Sequence, residues 1–188
     1  MSNQGKTVVF INGPAGSGKD TVAGILSDVF GYRTLKMVAP AEEAFKAFFG
    51  LDDETYRRMR EQEKAVPQER LFGRTPRRCL ISISEEWAKP AFGADVFGRL
   101  AGIKVSASGS LRIAFSDAGF KEEILVASQD PSISKSVLIR MHRSGKTFDG
   151  DSRSYVRGFD FPELDVYNDG TLHELRDVLT QIVKKMEL

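Results

Sequence analysis

The chain has 188 residues, 41% of them hydrophobic and 28% charged, with a formal net charge of +1. That composition suits a soluble protein with one sizeable core, and so even a charge argues against stable nucleic-acid binding or adhesion to a membrane surface. A lone cysteine, Cys79, excludes an internal disulfide, two histidines leave no structural zinc set, and no apolar run approaches the ~20 residues of a membrane span. The start, M-S-N-Q-G-K, has no signal-peptide character, so the chain reads as cytoplasmic.

The first element is the most informative. Val8, Val9, Phe10 and Ile11 form a short apolar run that suits a central parallel strand. Gly13, Gly16 and Gly18 then allow a tight turn, Lys19 follows at once, and Val22, Ala23, Ile25 and Leu26 give a helix its apolar face. Gly13, four residues, Gly18 and Lys19 have the spacing of a Walker A phosphate loop, in which helix N–H groups and the lysine hold phosphates. Asp20 stands where a magnesium-binding Ser or Thr is expected, and Thr21 comes one place later. The alternative is a glycine-rich turn without a ligand. The joint placement of glycines, lysine, strand and helix favours the phosphate loop.

Gly31 ends that helix, and Tyr32 to Met37 reads as a second strand. Pro40 opens a helix in which Ala41, Ala44, Phe45, Phe48 and Phe49 recur at helical spacing before Gly50, a stripe read as core rather than as a stacking platform. Leu51 to Ala65 is charged and helical in character. In Gly73 to Arg78, Thr75 is a good N-cap and Pro76 a good first helical residue. Arg74, Arg77 and Arg78 therefore surround a helix N-terminus, where the dipole gives no reason for cations and bidentate anion contact does. That helix runs past Trp87 to Pro90; burial is the favoured role for Trp87, with a substrate-pocket wall as the alternative.

Asp95 to Ser106 reads as a further helix, and Leu111 to Asp117 as an apolar strand ending in an acid, the Walker B arrangement for magnesium. A short helix over Phe120 to Ala127 and a strand over Val137 to Met141 follow. The next stretch lacks apolar periodicity and carries Arg143, Lys146, Arg153 and Arg157 among small residues, as a phosphoryl-transfer lid requires. A solvated mobile loop is the alternative. The chain closes with a strand over Asp165 to Asn168, the turn Asp169-Gly170, and an amphipathic helix that Thr171 and Glu174 open as a capping box. Alternating strands and helices predict an α/β sandwich on a mostly parallel sheet, with the ligand at the C-terminal strand ends around Gly13 to Thr21 and Asp117.

Several of these stretches together resemble phage-type deoxynucleoside monophosphate kinases, within the P-loop nucleoside monophosphate kinases. They are G-P-A-G-S-G-K-D-T, A-P-A-E-E-A-F-K-A-F-F-G, G-R-T-P-R-R-C-L, E-E-W with G-A-D-V-F, S-D-A-G-F-K-E-E, and the tail V-Y-N-D-G-T-L-H-E-L. The chain departs from the family pattern at Ala39 and Glu42, at Gly119 where an arginine is usual, and at Arg153 where a histidine is usual.

The resemblance implies one P-loop NTPase three-layer sandwich over 1–188, with a roughly five-stranded parallel sheet, a helical acceptor-binding insertion over about 38–108 and a lid over about 142–160. It implies transfer of the γ-phosphoryl of ATP, with Mg²⁺, to a nucleoside monophosphate. Gly13, Ala15, Gly16, Ser17, Gly18, Lys19, Asp20 and Thr21 would bind the donor, and Asp117 with Asp20 the metal. Arg74, Arg77, Arg78 and Trp87 would bind the acceptor, and Lys19 with Arg143, Arg153 or Arg157 would act on the transferring group. A homodimer stays open. The competing readings are a P-loop kinase for another metabolite, such as a phosphomevalonate-kinase-like enzyme, and a nucleotide-binding regulatory or motor ATPase module.

Overall fold

A computed structural model describes residues 5–188; the start Met1–Gln4 lies outside the described residues. The chain divides into two units, one of residues 1–37 and 98–188 and the other of Val38–Phe97.

The first unit is built on β1 (Lys6–Asn12), whose Val8 to Ile11 are fully buried. Such a run has no polar face to give to water, so it belongs in the middle of a sheet covered on both sides. It pairs in parallel with β3 (Arg112–Phe115) on one flank and β4 (Ile133–His142) on the other. Edge strands β2 (Arg33–Leu35) and β5 (Glu163–Tyr167) complete an all-parallel sheet of order β2-β3-β1-β4-β5. The chain leaves β1 towards β2 and leaves β4 towards β5, in opposite directions. Their C-terminal ends therefore flank a crevice.

One face of the sheet packs against α1 (Lys19–Phe30) and α8 (Leu172–Met186) through Val9, Ile11, Val137, Ile139, Leu26, Leu175 and Leu179. Thr171 and Glu174 close the capping box at the start of α8. Phe10 and Phe115 point to the other side and stack at 5.7 Å. Helices α6 (Val96–Ala107) and α7 (Lys121–Ser128) also belong to this unit from Gly98 onward, with Gly98 against the backbone of Glu123. Lys6, at the start of β1, caps the C-terminal end of α6, its ammonium donating to the carbonyls of Val105 (2.5 Å) and Ser108 (2.6 Å).

The second unit holds α2 (Ala39–Phe49), α3 (Asp53–Glu61), α4 (Pro76–Ile81), a π-helical stretch over Ser82–Ala88 and α5 (Lys89–Phe92). Phe45, Leu51, Tyr56, Met59, Leu71 and Cys79 form its core. Thr75 caps α4 through the N–H of Arg78 at 3.1 Å, with Pro76 in its first turn, as the sequence predicts. The phenylalanine stripe of α2 needs correction: Phe45 is core, but Phe48 is 79% exposed. Three phenylalanines at helical spacing exceed what one face of this small unit buries.

Strand β4 begins at Ile133, four residues before the predicted start, because the polar run Ser134 to Ser136 carries no apolar signal, yet Ile133, Lys135 and Ser136 pair with β1. Arg140 on β4 is 3% exposed and forks onto Asp165 of β5 at 2.9 and 2.7 Å, with Glu163 as a further partner. Arg140, then His142, holds the Asp165 carboxyl well below the usual carboxylate range. That stabilisation is present above the unfolded value near pH ~4 and is lost as pH falls through the lower folded value. Replacing Arg140 by Met should lower the urea unfolding free energy by about 3–5 kcal/mol at neutral pH and flatten its loss in acid. A drop below about 1 kcal/mol would mean that the carboxylates find other partners.

Candidate functional site

The turn from β1 into α1 wraps Lys19. Its ammonium donates to the carbonyls of Gly13 (2.6 Å) and Pro14 (2.7 Å). Burial, then the charge of Arg153, lowers its pKa to about 8, while Asp20, Asp151 and Asp117 oppose that shift. Lys19 is thus the centre of a group of opposed charges. Gly18 precedes α1 with a left-handed φ of 101° and no side-chain cap. A helix start of this kind presents backbone N–H groups to an anion. Ser17 is buried with an unpartnered hydroxyl, while Ala15, Gly16, Asp20 and Thr21 are exposed. The loop therefore fits phosphate: left-handed glycines, an open helix start, a buried orphan hydroxyl and a desolvated ammonium.

Two asparagines hold this loop. Asn168, after β5, donates to the carbonyl of Ser17 at 3.0 Å and lies against Gly18 so closely that a Cβ there would collide with it. Asn12, the last residue of β1 and 1% exposed, donates to the carbonyls of Ala118 (2.9 Å) and Ser154 (3.1 Å) and accepts from the N–H of Val156 (3.4 Å). Asp169 accepts from the N–H of Ser144 at 2.7 Å. The sequence marks the Asn168-Asp169-Gly170 turn as lying at a ligand-binding strand end but assigns it no role; nothing in it marks Asn12. An asparagine that ends a buried strand directly before a phosphate loop is the signal that could have found it.

Asp117 follows β3, and its carboxylate accepts from the N–H of Met37 at 2.8 Å. Among the described residues no group of three or more His, Cys, Asp or Glu could hold a metal ion. Asp117 and Asp20 both act on Lys19, so they share its surroundings. One or two carboxylates beside a phosphate site fit magnesium, which keeps waters and takes phosphate oxygens as ligands.

The segment between β4 and β5, residues 143–162, divides in two. Its first part is exposed: Arg143 donates to the Gly16 carbonyl at 3.5 Å, and Lys146 crosses Gly16, its Cε 3.3 Å from where a Cβ would stand. Its second part is a docked strap, tied by Asn12, by the Tyr155 hydroxyl to the Met141 carbonyl at 3.1 Å, and by Phe161 over Phe10 at 6.1 Å. Arg153 forks onto Asp151 at 2.9 and 2.7 Å. Arg157 is exposed and lines a cleft of about 380 Å³ with Gly119, Lys121 and Tyr155.

Unit two carries a largely apolar slot of about 490 Å³, lined by Phe48, Phe49, Arg74, Ser82, Ile83 and Trp87. Trp87 corrects the favoured sequence reading: it is 58% exposed and walls this slot. The π-helical stretch widens the turn that carries it, and such stretches recur at functional sites. Ser82 donates to Glu86 at 2.9 Å, and Arg78 pairs with Glu86 at 2.5 Å. Of the three arginines, Arg74 alone is in the slot lining, Arg78 is held by Glu86, and the backbone N–H of Arg77 donates to the Lys64 carbonyl at 3.0 Å.

No family model matches the chain. Over 73 residues it is 38% identical to a protein of Acanthamoeba polyphaga mimivirus that carries the provisional name deoxynucleotide monophosphate kinase; the match covers 39% of this chain and 37% of that protein. The chain thus spans little more than a third of that relative's length. Among solved structures, it is similar to a protein of Chloroflexus aurantiacus J-10-fl provisionally described as a kinase, with a TM-score of 0.51, 14% identity and coverage of 97% of this chain and 98% of that one. It is similar too to an unliganded sugar kinase of Janibacter sp. HTCC2649, with a TM-score of 0.51, 12% identity and coverage of 94% and 93%. At such identities the likeness shows the fold. The chain has the α/β fold of P-loop NTPases, as the sequence predicts. None of its described helices is long and apolar enough to cross a membrane.

A bound triphosphate favours the ammonium form of Lys19, whose pKa without ligand lies at about 8. MgATP affinity, read by calorimetry, should be flat below about pH 8 and fall by up to about tenfold per pH unit above it. Constant affinity up to about pH 9.5 would contradict a phosphate contact by Lys19.

Proposed function

We propose that the protein is a phosphotransferase that moves the γ-phosphoryl group of MgATP onto the phosphate of a (deoxy)nucleoside 5′-monophosphate. The observation that carries this reading is the grouping, in one unit, of the α1 start, a desolvated Lys19, Asp117 and Arg153. Phosphoryl transfer asks for cations and N–H groups aimed at charge spread over phosphate oxygens, and for little covalent chemistry from the protein. The acceptor half rests on the slot of unit two and on the name of the mimivirus relative.

On this reading the N–H groups of Gly16 to Thr21 hold the donor phosphates, and the Lys19 ammonium leaves the Gly13 and Pro14 carbonyls for the β- and γ-oxygens. Thr21 reaches the α-phosphate. Asp117 and Asp20 would hold magnesium, which would neutralise charge on the donor phosphates. An acceptor phosphate oxygen attacks Pγ, the bond from Pγ to the β-bridging oxygen breaks, and ADP leaves. The attacking oxygen is already an anion, so no general base is required. Arg74 meets the acceptor phosphate, with Arg77 or Arg78 beside it, and Trp87 with Phe48 and Phe49 flanks the base. A planar ring stacked on aromatic side chains suits an apolar slot with few polar groups.

The test is ADP release from MgATP in the presence of each common ribo- and deoxynucleoside monophosphate. At least one should raise turnover far above the water background. If none does, the reading is lost; a response to a non-nucleotide metabolite alone would assign another small-molecule kinase. With the working acceptor, Trp87→Ala should raise the acceptor KM about 5- to 100-fold, the worth of one stacked base, and leave the MgATP KM unchanged. An unchanged acceptor KM would move the base elsewhere.

A further inference from the structure

The turn after β5, Asn168-Asp169-Gly170-Thr171, stands in the sequence as a strand-end turn without a role, yet each of its residues is engaged. The backbone N–H of Asn168 donates to the His142 carbonyl at 2.8 Å and so continues the ladder between β4 and β5. Its side chain leaves the sheet and donates to the Ser17 carbonyl at 3.0 Å. Asp169 accepts from the N–H of Ser144 at 2.7 Å. Gly170 leaves room for the Glu174 carboxylate, with which a Cβ there would collide. Glu174 Oε2 accepts from the N–H of Thr171 at 2.6 Å, and the Thr171 hydroxyl accepts from the N–H of Glu174 at 3.2 Å. The start of α8 thus pins the turn from behind and β4 pins it from the side, while two short polar side chains reach forward.

What they hold lies at one place. Ser17 precedes Gly18, the left-handed residue that opens α1. Ser144 stands between Arg143, which donates to the Gly16 carbonyl at 3.5 Å, and Lys146, whose stem crosses Gly16. Neighbouring residues of one turn therefore fix two segments that meet at Gly16. The Ser17–Gly18 peptide is the sensitive point. In a trans peptide the C=O and N–H point opposite ways, so an amide that holds the Ser17 carbonyl turns the Gly18 N–H away from itself. Gly18 has no Cβ to resist a flip of that peptide, and its φ of 101° is one that glycine leaves as readily as it enters. The Asn168 amide also lies where a Cβ of residue 18 would stand, so the loop cannot gain stiffness from a side chain at that position.

We propose that this turn is the clamp of the donor site: Asn168 fixes the Ser17–Gly18 peptide so that the Gly18 N–H stays available to a phosphate, and Asp169 holds the segment after β4 against Gly16. Both are positioning residues. This rests on the reading of Gly13 to Thr21 as a phosphate loop and not on the acceptor. Asn168 acts by its donor N–H, so its shape alone does not serve. Asp169 acts by an acceptor oxygen, so its charge is not required. The choice of substitution thus separates each role from simple packing.

Two measurements on the full chain decide it. The first is affinity by calorimetry, with MgATP and with magnesium tripolyphosphate, which has no base. Asn168→Ala should raise the Kd of both about 3- to 13-fold, the worth of one neutral hydrogen bond, while the melting temperature falls by no more than about four degrees. Asn168→Asp keeps the shape but sets a carboxylate against the Ser17 carbonyl, and should raise both Kd values at least about threefold beyond Asn168→Ala. Asp169→Ala should raise them about 2- to 5-fold, and Asp169→Asn, whose carbonyl oxygen still accepts from Ser144, should stay within about twofold of the unchanged protein. An unchanged Kd in Asn168→Ala overturns the clamp, as does a loss seen with MgATP alone, which would assign Asn168 to the base. Equal losses in Asp169→Asn and Asp169→Ala overturn the role of Asp169. The second measurement is amide hydrogen exchange without ligand. In Asn168→Ala the amides of Gly16 to Lys19 should exchange at least about fivefold faster, with those of α8 unchanged. Equal loss of protection in α8 would make the turn a support of that helix only and overturn the proposal. If the unchanged protein binds neither ligand, the phosphate-loop reading fails, and the exchange rates still decide whether Asn168 holds the loop.

Discussion

The ammonium of Lys19 is the point on which the rest of the first unit converges. It donates to the Gly13 and Pro14 carbonyls of its own loop, and burial together with Arg153 brings its pKa down to about 8. The positive charge of a lysine held there is one that a bound phosphate would stabilise. Catalytic sites commonly carry such preset charge, since donors fixed before reaction need no reorganisation during it. The surrounding carboxylates keep the arrangement tolerable without neutralising it.

The sheet makes that arrangement stiff. β1 lies at its centre, buried on both faces, and ends on Asn12. Asn12 ties the loop after β3 and the strap to the residue that opens the phosphate loop, and Asn168 does the same from the end of β5. The ends of β1, β3 and β5 and the strap are thus tied together at this loop by two amides. The strap, docked through Tyr155, Val156 and Phe161, carries Arg153 as part of this frame, while most residues from Arg143 to Gly150 are exposed.

Much of this was legible in the sequence, and the parts that were not have physical reasons. Val8 to Ile11, the three glycines and Lys19 mark strand, loop and helix because each residue type is demanded by its own backbone or burial state. Thr75-Pro76 and Thr171 with Glu174 mark helix starts for the same reason. The polar half of β4 was invisible, since backbone pairing with β1 decides it rather than side-chain burial. Phe48 is exposed where periodicity predicts core, because periodicity tells which face of a helix is apolar, not whether another element covers it, and Trp87 walls a slot, the alternative to its favoured burial. Arg140 and Asn12 are unmarked in the sequence because a buried polar side chain is explained by partners far away in sequence. Gly119 read as a departure from the family pattern; only with Arg153 folded across it does it acquire a cause.

The central claim is that this frame delivers a phosphoryl group to a nucleotide rather than to water. The direct measurement follows the γ-phosphorus of labelled ATP in the presence of Mg²⁺ and a mixture of nucleoside monophosphates. The account predicts label in the β-position of a nucleoside diphosphate, at a rate that Lys19→Ala abolishes without unfolding the protein. Label found in inorganic phosphate alone, or in no product at all, would contradict it.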